Sequence, residues 1–310
     1  TLLAAPSSAD GPGHPEAQLA DALAAMRDGD YGGATRKLEA LLHREPNFQL
    51  AHLLYGQVLA LRSGPRIGTP LTDEGDGRIE ALLAEYRQRH DGLRALPPAG
   101  QVPSLLLQLA DDVRNALVVD LGKGRAYLID NGPDGPHVVR NLYAGIGRSG
   151  FGKRVAGDLR TPIGVYRITG WMADSQLPPL YGAGALPLNY PNSWDRAQGR
   201  TGSGIWLHGV PQQTYARAPR SSEGCVTFAN SDLLALRELL RVGSTPVILA
   251  ESLDWVAANR QQPGMLQPSA SRSKPSFVAG GWISRPQPSW GASCGPHRLT
   301  RPPTSRPMTV

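Results

Sequence analysis

The sequence predicts an α+β protein in which a helical N-terminal region precedes a mainly β domain. Two patterns carry that prediction. Apolar residues recur at helical spacing through residues 16–62, and from Asn115 onward they fall into short or alternating runs divided by Gly, Pro, Asn and Asp. A length of 310 residues suggests two domains, and a hydrophobic content of 40% is enough to fill their cores.

The opening string TLLAAPSSA reads as the end of an apolar segment running into a small-residue processing site. Residues 1–15 are therefore expected to be the remnant of a signal peptide or a linker, and the protein to be exported to the periplasm or cell envelope. In the helical region, 16–62, Ala22, Leu23 and Met26 form one stripe, Gly29 and Tyr31 mark a turn, and Ala34, Leu38, Leu41 and Leu42 form a second stripe that Pro46 ends. A third helix contains Ala51, Leu54, Tyr55 and Gly56. This order resembles a tetratricopeptide repeat. Such repeats bury a continuous core only when about three are stacked, and only about one and a half are present, so the region is expected to pack on the β domain. It could also hold another envelope protein. Residues 63–113 read as a helical linker: a Gly-, Pro-, Thr- and Asp-rich loop to 75, a polar helix over about 77–92, then LPPAGQVPSLLLQLADD.

Strands are expected at 116–121, 125–130, 137–146, 163–168, 204–208, 225–228 and 246–250, within a domain spanning 114–252. After the run VTF a helix is expected, capped by Asn230 or Ser231 and carrying leucines at 233, 234, 236, 239 and 240. Residues 171–203 read as a long insertion whose Trp171, Tyr181, Tyr190 and Trp194 suit either an ordered wall beside a site or a surface loop pinned by its own aromatics. GIGRSG, 145–150, matches a nucleotide-binding glycine pattern, and GRSGFGK, 147–153, matches a phosphate loop up to its last position. No helical run comes after them, and Arg154 stands where the phosphate loop needs a magnesium-binding hydroxyl, so these glycines are read as a tight turn and no cofactor is expected.

The formal charge is +6, yet no acidic residue lies beyond Asp254, and residues 1–259 carry a net −1. The basic balance belongs to the tail and gives no argument for nucleic-acid binding. No run of about 18 apolar residues points to a transmembrane segment. Residues 253–310 are expected to form a disordered tail: from Gln262 it has nine prolines, six basic residues and no apolar period. Its Arg-, Pro- and Ser-rich composition also suits an out-of-frame reading of GC-rich coding sequence, in which case Cys294 has no function.

The chemistry concentrates in HGVPQQTYARAPRSSEGC, from His208 to Cys225. A cysteine nucleophile needs a base or cation nearby, since a thiol is only a few per cent ionised at neutral pH, and His208 can supply the base. Gly224 lets the chain turn sharply, so that the N–H groups of Glu223, Gly224 and Cys225 could converge as an oxyanion hole. Neither a C-x-x-C pair nor a second histidine lies at zinc-ligand spacing, so no metal is expected.

HG with S-x-G-C downstream resembles the L,D-transpeptidase (YkuD) catalytic domain, and its YafK-like branch in particular, because the x position is Glu223 and not a second histidine. GDLRTPIGVYRITG, 157–170, resembles the family's T-P-x-G segment, and VVDLGKGRAYLI, 118–129, its opening hairpin. The resemblance covers roughly 114–252. It implies that Cys225 attacks the third residue of a peptidoglycan stem tetrapeptide, with His208 as base and the Gly209 carbonyl orienting the imidazole. An amine from a second stem would complete a cross-link, or water would complete hydrolysis; a non-catalytic adaptor is the reading from another class. Ser222, Trp206, Tyr190, Asn189, Asp195 and Arg196 are expected to contact substrate, although Asp195 and Arg196 are equally consistent with fixing the loop to itself.

Overall fold

A computed structural model of the protein describes residues 13–63, 77–94, 96–106, 109–110, 112–133 and 135–258. The expectations for residues 1–12, for the loop at 64–76 and for the tail from 259 onward, including Cys294 and the reading frame, lie outside the described residues.

Four helices open the chain: α1 (Pro15–Arg27), α2 (Tyr31–Arg44), α3 (Gln49–Ser63) and α4 (Arg78–Arg94). Local chemistry sets the first two. The His14 ring accepts the Glu16 N–H with proline in the next position, and the Asp30 carboxylate accepts the Gly33 N–H at 2.7 Å. The expected stripes face one core of Leu19, Ala22, Leu38, Leu41, Leu54 and Val58, which also takes in Tyr215 and Ala229 from the β domain. The helical region is thus packed on the β domain.

A five-stranded sheet forms from β2 (Asn115–Asp120), β3 (Arg125–Gly132), β4 (Gly135–Tyr143), β6 (Gly164–Arg167) and β12 (Pro246–Ala250), in the order β4-β3-β2-β12-β6. All six residues of β2 are buried, because apolar clusters cover both faces of the sheet; this accounts for its unbroken apolar run. A four-stranded sheet in the order β11-β9-β8-β7 uses β7 (Met172–Ala173), β8 (Gly184–Pro187), β9 (Trp206–His208) and β11 (Val226–Thr227). Leu186, Leu207 and Val226 from this sheet share one core with Leu117, Val119, Leu128 and Leu249 from the other, joined by Leu233 and Leu236 of α6 (Asn230–Leu239). Between them β5 (Ile146–Gly147) pairs in parallel with β10 (Arg220–Ser222).

Three expectations need correction. The supposed insertion at 171–203 supplies β8, an inner strand of the second sheet, and a short helix α5 (Ser193–Ala197); β7 and β8 are too short to show a period, and only pairing reveals them. The segment beginning at 253 is not all tail: β13 (Trp255–Ala257) pairs antiparallel with β1 (Gln101–Pro103), which lies in the supposed helical linker, and Trp255 packs edge-on against Tyr127 at 5.0 Å. Asn230 is not the cap of α6 but its first residue, and its side chain reaches back to the loop after His208.

The helical region and β3 meet at a buried group of four ionisable side chains, of which Glu85 is pushed up to a pKa of about 8 by burial. Arg89 pairs with Glu16 and, at 2.8 Å, with Glu85; Arg125 reaches Glu16 at 3.1 Å and Asn141 through two further hydrogen bonds. The Arg89 guanidinium also lies 3.8 Å above the Tyr143 ring. Removing one partner from such a group leaves a buried charge uncompensated, at a cost of about 3 to 5 kcal/mol. Glu16→Gln should therefore lower the urea midpoint by an amount equivalent to about 3 kcal/mol, with an unchanged denaturant slope; a wild-type midpoint would show that the group is solvated.

Candidate functional site

Parallel neighbours need a crossover of a dozen or more residues, and the chain from the end of β9 to the start of β11 is that crossover. The separation of His208 and Cys225 in the sequence is therefore the separation a parallel pair demands. Thr227 lies opposite His208 and Val226 opposite Leu207. Since side chains alternate, Cys225, Thr227, Trp206 and His208 share one face of the pair, while Leu207 and Val226 enter the core on the other.

His208 is 2% exposed and Cys225 3%. The imidazole Nδ1 lies 2.6 Å from the Gly209 carbonyl oxygen. A carbonyl only accepts, so Nδ1 carries the proton and Nε2 does not. Burial pulls the His208 pKa down to about 4; the Gly209 hydrogen bond opposes that pull, and the nearby Arg217 charge adds to it. The Tyr181 ring packs edge-on against the imidazole at 4.9 Å and lies tilted against Trp206 at 5.1 Å. The Cys225 thiol donates to the Gly204 carbonyl at 3.4 Å.

The turn before the thiol is held from within. Gly224 has φ +124°, and a Cβ there would lie 2.7 Å from the Arg160 carbonyl oxygen, so glycine is required both by conformation and by space. The Ser222 hydroxyl donates to the Cys225 carbonyl at 2.6 Å and accepts the Gly224 N–H at 3.2 Å. Ser222 thus braces the turn before the thiol, and the Gly224 N–H, expected as an oxyanion donor, is taken by the Ser222 hydroxyl. The Glu223 carboxylate pairs with Arg148 at the surface, 2.9 Å away.

Four other expected substrate contacts belong to the scaffold. Asp195, 1% exposed, accepts from Arg200 at 2.8 Å, from Tyr166, and from the Asn192 backbone. Arg196 donates to the Pro191 carbonyl. The side-chain oxygen of Asn189 accepts the Arg167 N–H at 2.8 Å, extending the strand ladder, and Tyr190 is a core residue whose hydroxyl reaches the Thr201 carbonyl. The alternative that this loop fixes itself is the one the geometry favours. Trp206 stays on the face shared with His208.

Tyr181, one of the aromatics that suit a wall beside a site, comes from a single-turn 3-10 helix, Pro179–Tyr181. The parts that Arg217 and Asn230 play at the site have no signal in the sequence. Arg217 lies in the crossover, where its guanidinium donates to the Ser221 carbonyl at 2.6 Å and its own carbonyl accepts from the Tyr143 hydroxyl at 2.9 Å. Asn230 donates to and accepts from the Val210 backbone, two residues after His208. Only their place in the crossover or beside Cys225 could have drawn attention to Arg217 and Asn230.

The fold and the site together define a β-rich domain that presents a thiol and a neutral imidazole on one face of a parallel strand pair. Residues 114–249 match the model of the L,D-transpeptidase catalytic domain, YkuD. Similar solved structures include Bd1075 of Bdellovibrio bacteriovorus, 29% identical over 50% of this chain and 55% of that one, with a TM-score of 0.44. They also include the helical cell shape determining protein Pgp2 of Campylobacter jejuni, at 27% identity, covering 46% of this chain and 49% of that one with a TM-score of 0.40. An L,D-transpeptidase of Xylanimonas cellulosilytica is 17% identical, covering 53% and 69% with a TM-score of 0.32. The chain spans about half the length of the first two. No curated protein sequence matches it.

The depressed His208 pKa makes the fold acid-sensitive. Between pH 6.5 and about 4 the unfolded histidine binds a proton and the folded one does not, so stability falls as pH falls through that window. The loss integrates to about 3 kcal/mol. His208→Gln, neutral throughout, should lose less stability than wild type when urea unfolding is moved from pH 7 to pH 4.5. Parallel losses in the two proteins would show that His208 is protonated in the folded state.

Proposed function

We propose that the YkuD domain catalyses acyl transfer from a peptidoglycan stem tetrapeptide through a thioester on Cys225, in the cell envelope. The observation that supports it most is the buried imidazole fixed through Nδ1 to the Gly209 carbonyl, with an unprotonated Nε2, on the face that carries the thiol. His208 takes the thiol proton through Nε2 as Cys225 attacks the carbonyl carbon of the third, diamino acid residue. Burial disfavours the charged imidazole. Proton transfer from the thiol creates an ion pair whose mutual attraction offsets much of that burial cost.

The carbonyl oxygen becomes an oxyanion, for which the N–H groups of Glu223 and Cys225 are the donors in this reading. Collapse breaks the peptide bond, and the leaving D-alanine amine takes the proton from His208. An acceptor amine then attacks the thioester; His208 removes its proton and returns it to the departing thiolate. Water in place of the amine gives hydrolysis from the same acyl-enzyme, so the acceptor alone separates the two outcomes. Trp206 and Tyr181 offer an aromatic wall for the stem. The helical region, whose apolar face is covered by Tyr215 and Ala229 of the β domain, serves here as a support for the site more than as a free scaffold for an envelope partner.

Incubation with purified wall fragments, with products identified by mass, tests the proposal. Wild-type protein should release D-alanine and give cross-linked or trimmed stems; Cys225→Ala should give neither and keep its melting temperature within a few degrees. Unchanged turnover in that variant would remove Cys225 as the nucleophile.

Arg217 is a cation whose charge acts on Cys225. Opposite charge favours a thiolate. Arg217→Gln should slow alkylation of Cys225 by iodoacetamide at neutral pH about tenfold, and Arg217→Lys should slow it less. Equal rates in all three proteins would show that the guanidinium does not activate the thiol.

A further inference from the structure

The Asn230 side chain makes three hydrogen bonds, all to backbone. Its oxygen accepts the Ala183 N–H at 2.9 Å and the Val210 N–H at 3.0 Å, and its nitrogen donates to the Val210 carbonyl at 2.9 Å. Two N–H donors on one side and a carbonyl on the other fix which end of the amide is oxygen. The amide lies in a slot made by glycines: a Cβ on either Gly182 or Gly209 would lie 2.2 Å from its oxygen.

The Val210 N–H and the Gly209 carbonyl belong to one planar peptide unit. The N–H side of that unit is held by Asn230, and its oxygen accepts from His208 Nδ1 at 2.6 Å. Turning the peptide to release the imidazole would break the Asn230 bond as well. The second bond, to Ala183 N–H, fixes the chain two residues after Tyr181, whose ring packs on the imidazole. Both restraints on the imidazole, the carbonyl at Nδ1 and the ring beside it, are therefore tied to one amide side chain. Ser222 holds the thiol's own turn, and Asp195 holds a loop.

We propose that Asn230 is a positioning residue for His208, holding the Gly209–Val210 peptide so that the imidazole stays in the Nδ1–H tautomer with Nε2 available as base. The proposal rests on His208 being the base. The tautomer, however, can be read without catalysis. In protein labelled with 15N-histidine, His208, assigned by the loss of its signals in His208→Gln, should show a single Nδ1–H tautomer at pH 7. Asn230→Ala should give a mixture of tautomers and slow iodoacetamide alkylation of Cys225 by about 10- to 100-fold. Asn230→Asp, which keeps the accepting oxygen, should keep the Nδ1–H tautomer.

A folded Asn230→Ala protein with a wild-type tautomer and alkylation rate would overturn the proposal, even if its melting temperature fell. If that variant does not fold, Asn230→Ser replaces it with the same two readouts. Fast hydrogen exchange of the Val210 amide in the wild type would overturn it with no variant at all. Failure of the base assignment looks different: His208→Gln would then alkylate at the wild-type rate while the tautomer still responded to Asn230.

Discussion

The parallel pairing of β9 with β11 is the constraint on which the rest of the site depends. Two parallel neighbours cannot be joined by a tight turn, so the chain leaves His208, crosses over and returns at Cys225. That return passes β10, which must pair with β5, and ends in a turn only glycine can make. Because the register places Thr227 opposite His208, the thiol and imidazole share a face; a slip by one residue would send the cysteine into the core in place of Val226.

Burial gives the site its electrostatic character. A histidine in contact with water would be partly protonated near neutrality, whereas His208 is held neutral and tethered by one ring nitrogen. The positive charge at the site is then on Arg217 and not on the imidazole. Its carbonyl is held by Tyr143, and the Tyr143 ring lies under Arg89 of α4. A physical chain of contacts thus runs from the buried charges of the helical region to the crossover beside the thiol. This chain explains why a helical region with too few helices for a scaffold of its own packs so closely on the β domain: it closes the outer side of the crossover.

Glycines recur wherever backbone must approach the site. Gly209 and Gly182 leave room for the Asn230 amide, and Gly224 for the Arg160 carbonyl. At Gly209 and Gly182 a methyl group would crowd an oxygen already in use, so the substitution would displace hydrogen bonds, and at Gly224 it would clash with backbone. The polar groups of the site are satisfied from backbone more than from other side chains. That leaves His208 and Cys225 as the reactive groups of a face they share with Trp206 and Thr227.

The sequence by itself determined the two-part α+β architecture and most strand positions and singled out Cys225 and His208 as candidates, because each rests on information carried locally. Helical and alternating periods repeat within a few residues, and a glycine before a thiol marks its own turn. Only the tertiary structure decided what Ser222, Asn189, Tyr190, Asp195, Arg196 and Asn230 do. A polar residue in a loop looks the same whether it faces a substrate or a backbone amide, and the choice is made by partners far along the chain: Asn192 and Arg200 for Asp195, Arg167 for Asn189, Val210 and Ala183 for Asn230. Strands of two or three residues, such as β7, β1 and β13, hide for a related reason. They are too short to show a period, and pairing with distant segments alone makes them strands.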